Sequence, residues 1–226
     1  MASNPLFDTW YEPLYLKILT DLSDLKIQFD FDGLMHNPEL TELHKNEIEP
    51  WLLEFYRAGI NGFKITWTIN ETEESDEMRG SINIWPVEST FKEKNYINVD
   101  SKEIKVNQVF GKTDKIKLQG IFRIVDYFVD EAQVGYFSDS AMKFRFYYMD
   151  SDQEFWDLKL DFKGYFELAC AAYGFEYWQQ YILYREYKKA WHHTAHNDFI
   201  QSMPEIFPDF KIEEFLTLYE SLRLKD

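Results

Sequence analysis

Cysteine is almost missing from this 226-residue chain. Cys170 stands alone, so an internal disulfide is excluded and a reducing compartment is expected. Basic residues are scarce as well. The 24 Lys and Arg face 40 Asp and Glu, a net charge of -16 and a pI of about 4.7. A surface with that excess repels a polyanion, so direct nucleic-acid binding is not expected. No stretch approaches the roughly 20 consecutive apolar residues of a membrane helix. Met1 to Trp10 holds no basic region followed by an apolar run, so no secretory signal is read there and a cytoplasmic location is expected. Glycine is sparse: 9 residues, scattered singly. There is no G-x-G-x-x-G, no P-loop and no G-x-S-x-G, so neither a phosphate cradle nor a nucleophile elbow is encoded.

Aromatic residues, in contrast, are abundant. The 7 Trp, 15 Tyr and 20 Phe exclude a wholly disordered acidic chain and promise a large core. They exceed what a small core hides, so some are expected to line a groove or an interface. The charge is uneven. Residues 1–100 carry 8 Lys and Arg against 19 Asp and Glu, a balance of -11, and the remainder carries -5.

Periodicity orders the chain into helices, then strands, then helices. Spacings of three and four predict a helix over residues 8–22, a loop over 28–38 and a short helix over 39–44. A clearer helix is predicted from Glu47 to Ala58, with Pro50 in its first turn. Its apolar stripe is Trp51, Leu52, Phe55 and Tyr56. Gly59 and Asn61-Gly62 end it. Phe63, Ile65, Trp67 and Ile69 then alternate with polar residues, which predicts a half-buried strand. A second strand through Ile82 and Ile84 stops at Trp85-Pro86. The two are expected to pair antiparallel across the acidic segment of residues 71–77. Residues 92–120 are lysine-rich and weakly patterned, with a short strand hinted at Ile104, Val106 and Val109. Apolar residues from Phe122 to Phe128 lead to a turn at Asp130-Glu131 and a strand through Val134, Tyr136 and Phe137. Residues 143–149 read as a strand with one wet face, carrying Lys143 and Arg145. Phe155 to Leu160 reads as a last short strand. Helices are predicted from Phe162, from Phe175 to His193 and from Ile212 to Leu222, with Pro204 and Pro208 bounding a loop. This order implies a single α+β domain over residues 1–226, with a largely antiparallel sheet flanked by helices.

Candidate chemistry is thin. His192, His193 and His196 have a spacing at which two imidazoles on one helix face share a metal. The zinc-protease motif needs a Glu after the first His, and His193 holds that place. An exposed helix end is the expected role. Cys170 sits in an apolar helical stretch and is expected to pack. The pairs Asp21/Asp24, Asp30/Asp32, Asp130/Glu131 and Asp150/Asp152 read as turns and caps. No catalytic, metal or cofactor residue is expected.

One segment resembles a known family. The helix with Leu53, Phe55 and Tyr56 is followed by Asn61-Gly62-Phe63, a strand with Ile65 and Trp67, an acidic insert, and Ile82 to Glu88 (INIWPVE). This succession is similar to the SUKH superfamily of cell-wall-synthesis-regulator-like proteins. Asp130 to Phe137 resembles that family's next hairpin, and Phe162 to Trp178 its C-terminal helical region. The resemblance covers residues 38–180 and leaves an extra C-terminal helical segment. Here the usual Leu-Pro helix start is replaced by Ile48-Glu49-Pro50-Trp51, and Phe63 replaces the second Gly of the turn. The resemblance implies a non-enzymatic α+β binding domain, with Asn61, Gly62, Trp67, Trp85, Pro86 and Glu88 as its structural motif. It also implies an immunity-type role, in which a cognate toxin, often a nuclease, is neutralised by protein binding. An acidic protein suits a basic toxin domain, and Glu71, Glu73, Glu74, Asp76 and Glu77 are the candidate contact residues. An intracellular regulator or scaffold of the same fold, cell-wall-related, is the alternative. A metal-dependent hydrolase using the histidine cluster is a third reading.

Overall fold

The computed structural model describes residues 12–21, 25–30, 38–57, 62–69, 78–92, 96–109, 112–138, 144–188 and 193–225. In chain order these form α1 (Glu12–Asp21), β1 (Leu25–Asp30), α2 (Pro38–Leu43), α3 (Pro50–Arg57), β2 (Phe63–Ile69), β3 (Met78–Ile84) and α4 (Val87–Thr90). There follow β4 (Tyr96–Val109), β5 (Lys112–Val129), β6 (Ala132–Phe137), β7 (Phe146–Met149) and β8 (Phe155–Asp157). Four helices close the chain: α5 (Phe162–Ala171), α6 (Trp178–Tyr187), α7 (His193–Ile206) and α8 (Ile212–Leu222). The strands make one antiparallel sheet in the order β1-β2-β3-β5-β6-β7-β8, with β4 paired to β5. The fold is therefore α+β, as the succession of patterns implies.

Both faces of the central strands are buried. Side chains alternate across a strand. Accordingly Val134 and Tyr136 of β6, with Phe146 and Tyr148 of β7, enter the large core shared with the helices. Phe137, Tyr147 and Met149 point the other way, into a smaller cluster with Val99, Phe122, Ile124 and Phe155. This overturns the expected wet face over residues 145–149; Lys143 lies outside the described residues. All four residues of β7 are buried. Arg145 is buried too, because its Nη1 donates to Asp157 Oδ2 at 2.7 Å.

Other expectations shift at their boundaries. Residues 28–30 are strand rather than loop, since β1 pairs with β2 from Leu25↔Ile69 to Asp30↔Lys64. α3 begins at Pro50 rather than Glu47: Glu49 stands before it, and Leu52 N–H donates to Glu49 Oε2 at 2.7 Å. Trp51 turns out of the core and is exposed. The weakly patterned residues 92–120 form the long β4–β5 hairpin, whose ladder carries register shifts between Val99 and Lys102 and between Val106 and Gln108. β8 stops at Asp157, short of Leu160, because Lys159 takes a φ of 58°. The helix expected to reach His193 ends at Tyr187, where Lys188 takes φ 53° and donates to Tyr184 O at 2.8 Å. Pro204, expected to bound a loop, lies inside α7. Burial of Phe199, Met203, Ile206 and Phe207 holds that helix together across the missing N–H.

Candidate functional site

The sheet divides beside β3. β3 meets β5 at one ladder position, Ile84↔Asp126, and Trp85 N–H donates to Val125 O at 2.7 Å. One residue earlier the strands diverge. Asn83 N–H donates to the Asp126 side chain (Oδ1, 2.9 Å) rather than to a strand carbonyl, and Asn83 Nδ2 donates to Tyr127 O at 2.7 Å. Asp126 also accepts from Tyr165 Oη at 2.7 Å, and Gln179 Nε2 donates to that hydroxyl at 3.0 Å. Burial pushes the Asp126 carboxyl up to about 6. The Gly174–Glu176 stretch takes the vacated place. Ser81 N–H donates to Gly174 O at 2.6 Å and Glu176 N–H to Arg79 O at 3.0 Å.

A groove of about 390 Å³ lies at this division, within the size range of small binding sites. Its floor follows from strand periodicity. Ile65 and Trp67 of β2, with Ile82 and Ile84 of β3, are buried. The alternating residues Lys64, Thr66, Thr68, Arg79 and Ser81 therefore share the opposite face and line the groove. Phe128, Val129, Asp130 and Glu131, at the β5–β6 turn, form a wall. Glu176 stands at the end and is ion-paired with Arg79. The groove thus offers hydroxyls and cations on its floor, with apolar and acidic groups on its wall.

The residues singled out in the sequence distribute as follows. Glu71, Glu73, Glu74, Asp76 and Glu77 lie outside the described residues, as does Asn61. The strands that carry the acidic segment, β2 and β3, pair up to Ile69↔Met78. Their last polar pair, Thr68↔Arg79, belongs to the groove. Gly62 has φ 86° and packs on the Ile84–Pro86 backbone. Trp67 donates from Nε1 to Tyr173 O at 2.6 Å. Trp85 stacks on Tyr127 with ring centroids 5.1 Å apart, and its carbonyl accepts from Tyr56 Oη at 2.9 Å. Pro86 stands immediately before α4, and Glu88 lies in that helix's first turn. Gly62, Trp85 and Pro86 brace the junction of α3, β2 and α4; Trp67 ties β2 to the chain after α5 and also lines the groove.

The histidines divide as well. His192 is outside the described residues and His193 begins α7. His196 stacks on Tyr181 at 4.9 Å and lies 4.4 Å from the Tyr184 ring. Among the described residues no group of three His, Cys, Asp or Glu could hold a metal ion. Cys170 packs against the large core, and burial pushes its thiol up, away from the reactive thiolate. No helix of the described residues is long and apolar enough to cross a membrane.

Two features escaped the sequence reading. The groove floor was readable as the polar half of β2's alternation, although nothing local announced a wall opposite it. A partly buried ionic cluster had no local signal at all. Lys159 Nζ lies 2.7 Å from Glu186 Oε2, and Arg223 Nη2 reaches the same carboxylate at 3.1 Å. Leu224 N–H donates to Lys159 O at 2.8 Å, which ties the chain after α8 to the segment between β8 and α5. Comparison with protein-family models, with curated proteins and with solved structures finds no match.

Proposed function

We propose that this chain is an immunity-type member of the SUKH superfamily, a non-enzymatic protein that neutralises a basic toxin domain, such as a nuclease, by protein–protein binding. The charge distribution carries the reading. A net charge of -16 steers association with a cationic partner. A nuclease holds a polyanion and so presents the complementary cationic surface. The excess in residues 1–100 includes the acidic segment that joins β2 to β3, whereas the three strands themselves carry only Lys26, Asp30, Lys64 and Arg79. The groove at the division of the sheet, floored by β2 and β3, supplies shape. The work proposed for this chain is done by side chains alone, without a cofactor.

The test is co-expression with the products of adjacent genes. One neighbour, expressed alone, is expected to arrest growth. Co-expression with this chain is expected to restore growth, and the two proteins should co-purify. If no neighbour is both toxic and rescued, the immunity reading fails. A growth or cell-wall defect on deletion, without sensitivity to sibling cells, would point instead to regulation.

A further inference from the structure

The acidic wall and the apolar wall of the groove are the same piece of chain. Phe128 and Val129 end β5, and Asp130 and Glu131 make the turn into β6. Phe128 is nearly buried against Tyr148 and Tyr177, which holds the wall in place. Asp130 and Glu131 are exposed. Asp130 accepts a hydrogen bond from Tyr127 Oη at 3.2 Å. Neither carboxylate has an ion pair among the described residues, whereas Glu176 is neutralised by Arg79. The wall therefore presents two adjacent carboxylates without an ion-pair partner among the described residues beside an apolar ledge, with Lys64 on the floor. That combination suits a side chain with an apolar stem and a planar cationic head.

We propose that the groove is the pocket for an arginine side chain presented by the protein partner. The guanidinium meets Asp130 and Glu131, and the methylene stem lies along Phe128 and Val129. Arginine is preferred over lysine because its fork bonds two carboxylate groups at once. Lys64, on the groove floor, opposes the incoming charge and turns the head toward the acidic wall. The assignment rests on the binding-protein reading above and names the partner chemistry at one place.

The experiment uses the whole chain and two short capped peptides, Gly-Ser-Arg-Ser-Gly and Gly-Ser-Glu-Ser-Gly, titrated by NMR at physiological salt. The arginine peptide is expected to shift the amides of Thr66, Thr68, Arg79, Asp130 and Glu131. The double variant Asp130→Asn/Glu131→Gln is expected to weaken it by about tenfold. Lys64→Gln is expected to tighten it. Glu213→Gln/Glu214→Gln on α8, exposed and remote in sequence, should leave it within about twofold if the effect is local. Preference for the glutamate peptide overturns the proposal. Equal affinity of the wall variant and the native protein also overturns it, as does an equal loss in the α8 variant. None of these outcomes depends on a toxin, so they are separate from the co-expression test.

Discussion

Gly62 lies directly against Pro86. A Cβ placed on Gly62 would fall 2.6 Å from the Pro86 nitrogen and 2.7 Å from the Ile84 carbonyl oxygen. Gly62 also holds φ at 86°, in the left-handed region that favours glycine. Both constraints act where the chain turns into β2, and both involve backbone, which cannot swing aside. Gly62→Ala is expected to destabilise the fold by at least about 2 kcal/mol, from backbone strain plus displacement of the Ile84–Pro86 strand end. Urea denaturation measures it. A loss below about 0.5 kcal/mol would mean the contact is easily relieved.

Trp67 and Gly80 form a second such fit. They are cross-strand partners, and a Cβ on Gly80 would sit 2.2 Å from Trp67 Nε1. The indole lies over the glycine, packs edge-on against Phe207 at 5.5 Å and donates to Tyr173 O. Trp67→Phe removes the donor and much of the ring volume, with an expected loss of about 2–4 kcal/mol. Gly80→Ala drives the methyl into the ring and is expected to be at least as severe. If Gly80→Ala is tolerated while Trp67→Phe is not, the indole has room to move and the proposed fit is wrong.

Glu49 makes stability depend on pH. It is 2% exposed, caps α3 through Leu52 N–H, and burial pushes its carboxyl up to about 7, with Asp161 adding to the rise. Between the unfolded value of about 4.5 and the folded value of about 7, the folded protein keeps a proton that the unfolded chain has released. Stability from this group is therefore fully present at low pH and is lost as pH rises through that window, by roughly 3 kcal/mol. Asp126 acts in the same sense at slightly lower pH, its carboxyl being raised to about 6. In Glu49→Gln the amide oxygen still accepts from Leu52 but does not titrate. The variant is expected to show a shallower decline of unfolding free energy between about pH 5 and pH 7 than the native protein. Identical slopes would exclude Glu49 as the titrating group.

The contrast between legible and illegible parts follows from range. β2 and β3 announce themselves because a half-buried strand alternates every second residue, and α8 because its buried Phe215 and Tyr219 lie one turn apart. The β4–β5 hairpin does not, because lysines interrupt both strands and the pairing partner supplies the order. The strand at β7 is legible, but the wet face expected beside it fails for a related reason. Arg145 looks solvent-facing until Asp157, 12 residues away, is placed beside it. The groove is less visible still. It exists because Asp126 bonds Asn83 across 43 residues and Gly174 bonds Ser81 across a wider gap, neither of which leaves a local pattern. The order of elements is thus written locally, whereas the site is written in long-range polar contacts.

The Arg145–Asp157 pair offers the sharpest energetic test of those contacts. The carboxylate of Asp157 is fully buried and accepts from Arg145 Nη1 at 2.7 Å and from Lys159 N–H at 2.7 Å. Burial raises the Asp157 carboxyl despite the guanidinium, so desolvation outweighs the pairing for this group. Removing only the cation then leaves a buried acid that must either stay charged alone or take up a proton. Arg145→Met is expected to lose about 3–5 kcal/mol at neutral pH. The loss should shrink as pH falls, because protonation of Asp157 relieves the stranded charge. Removing both charges in Arg145→Met/Asp157→Leu is expected to destabilise less than the sum of the single changes, and less than Arg145→Met alone. A double-mutant cycle by urea denaturation at two pH values reads all three quantities. Strict additivity would mean that each residue is held by other neighbours and that the pair contributes nothing of its own to the fold.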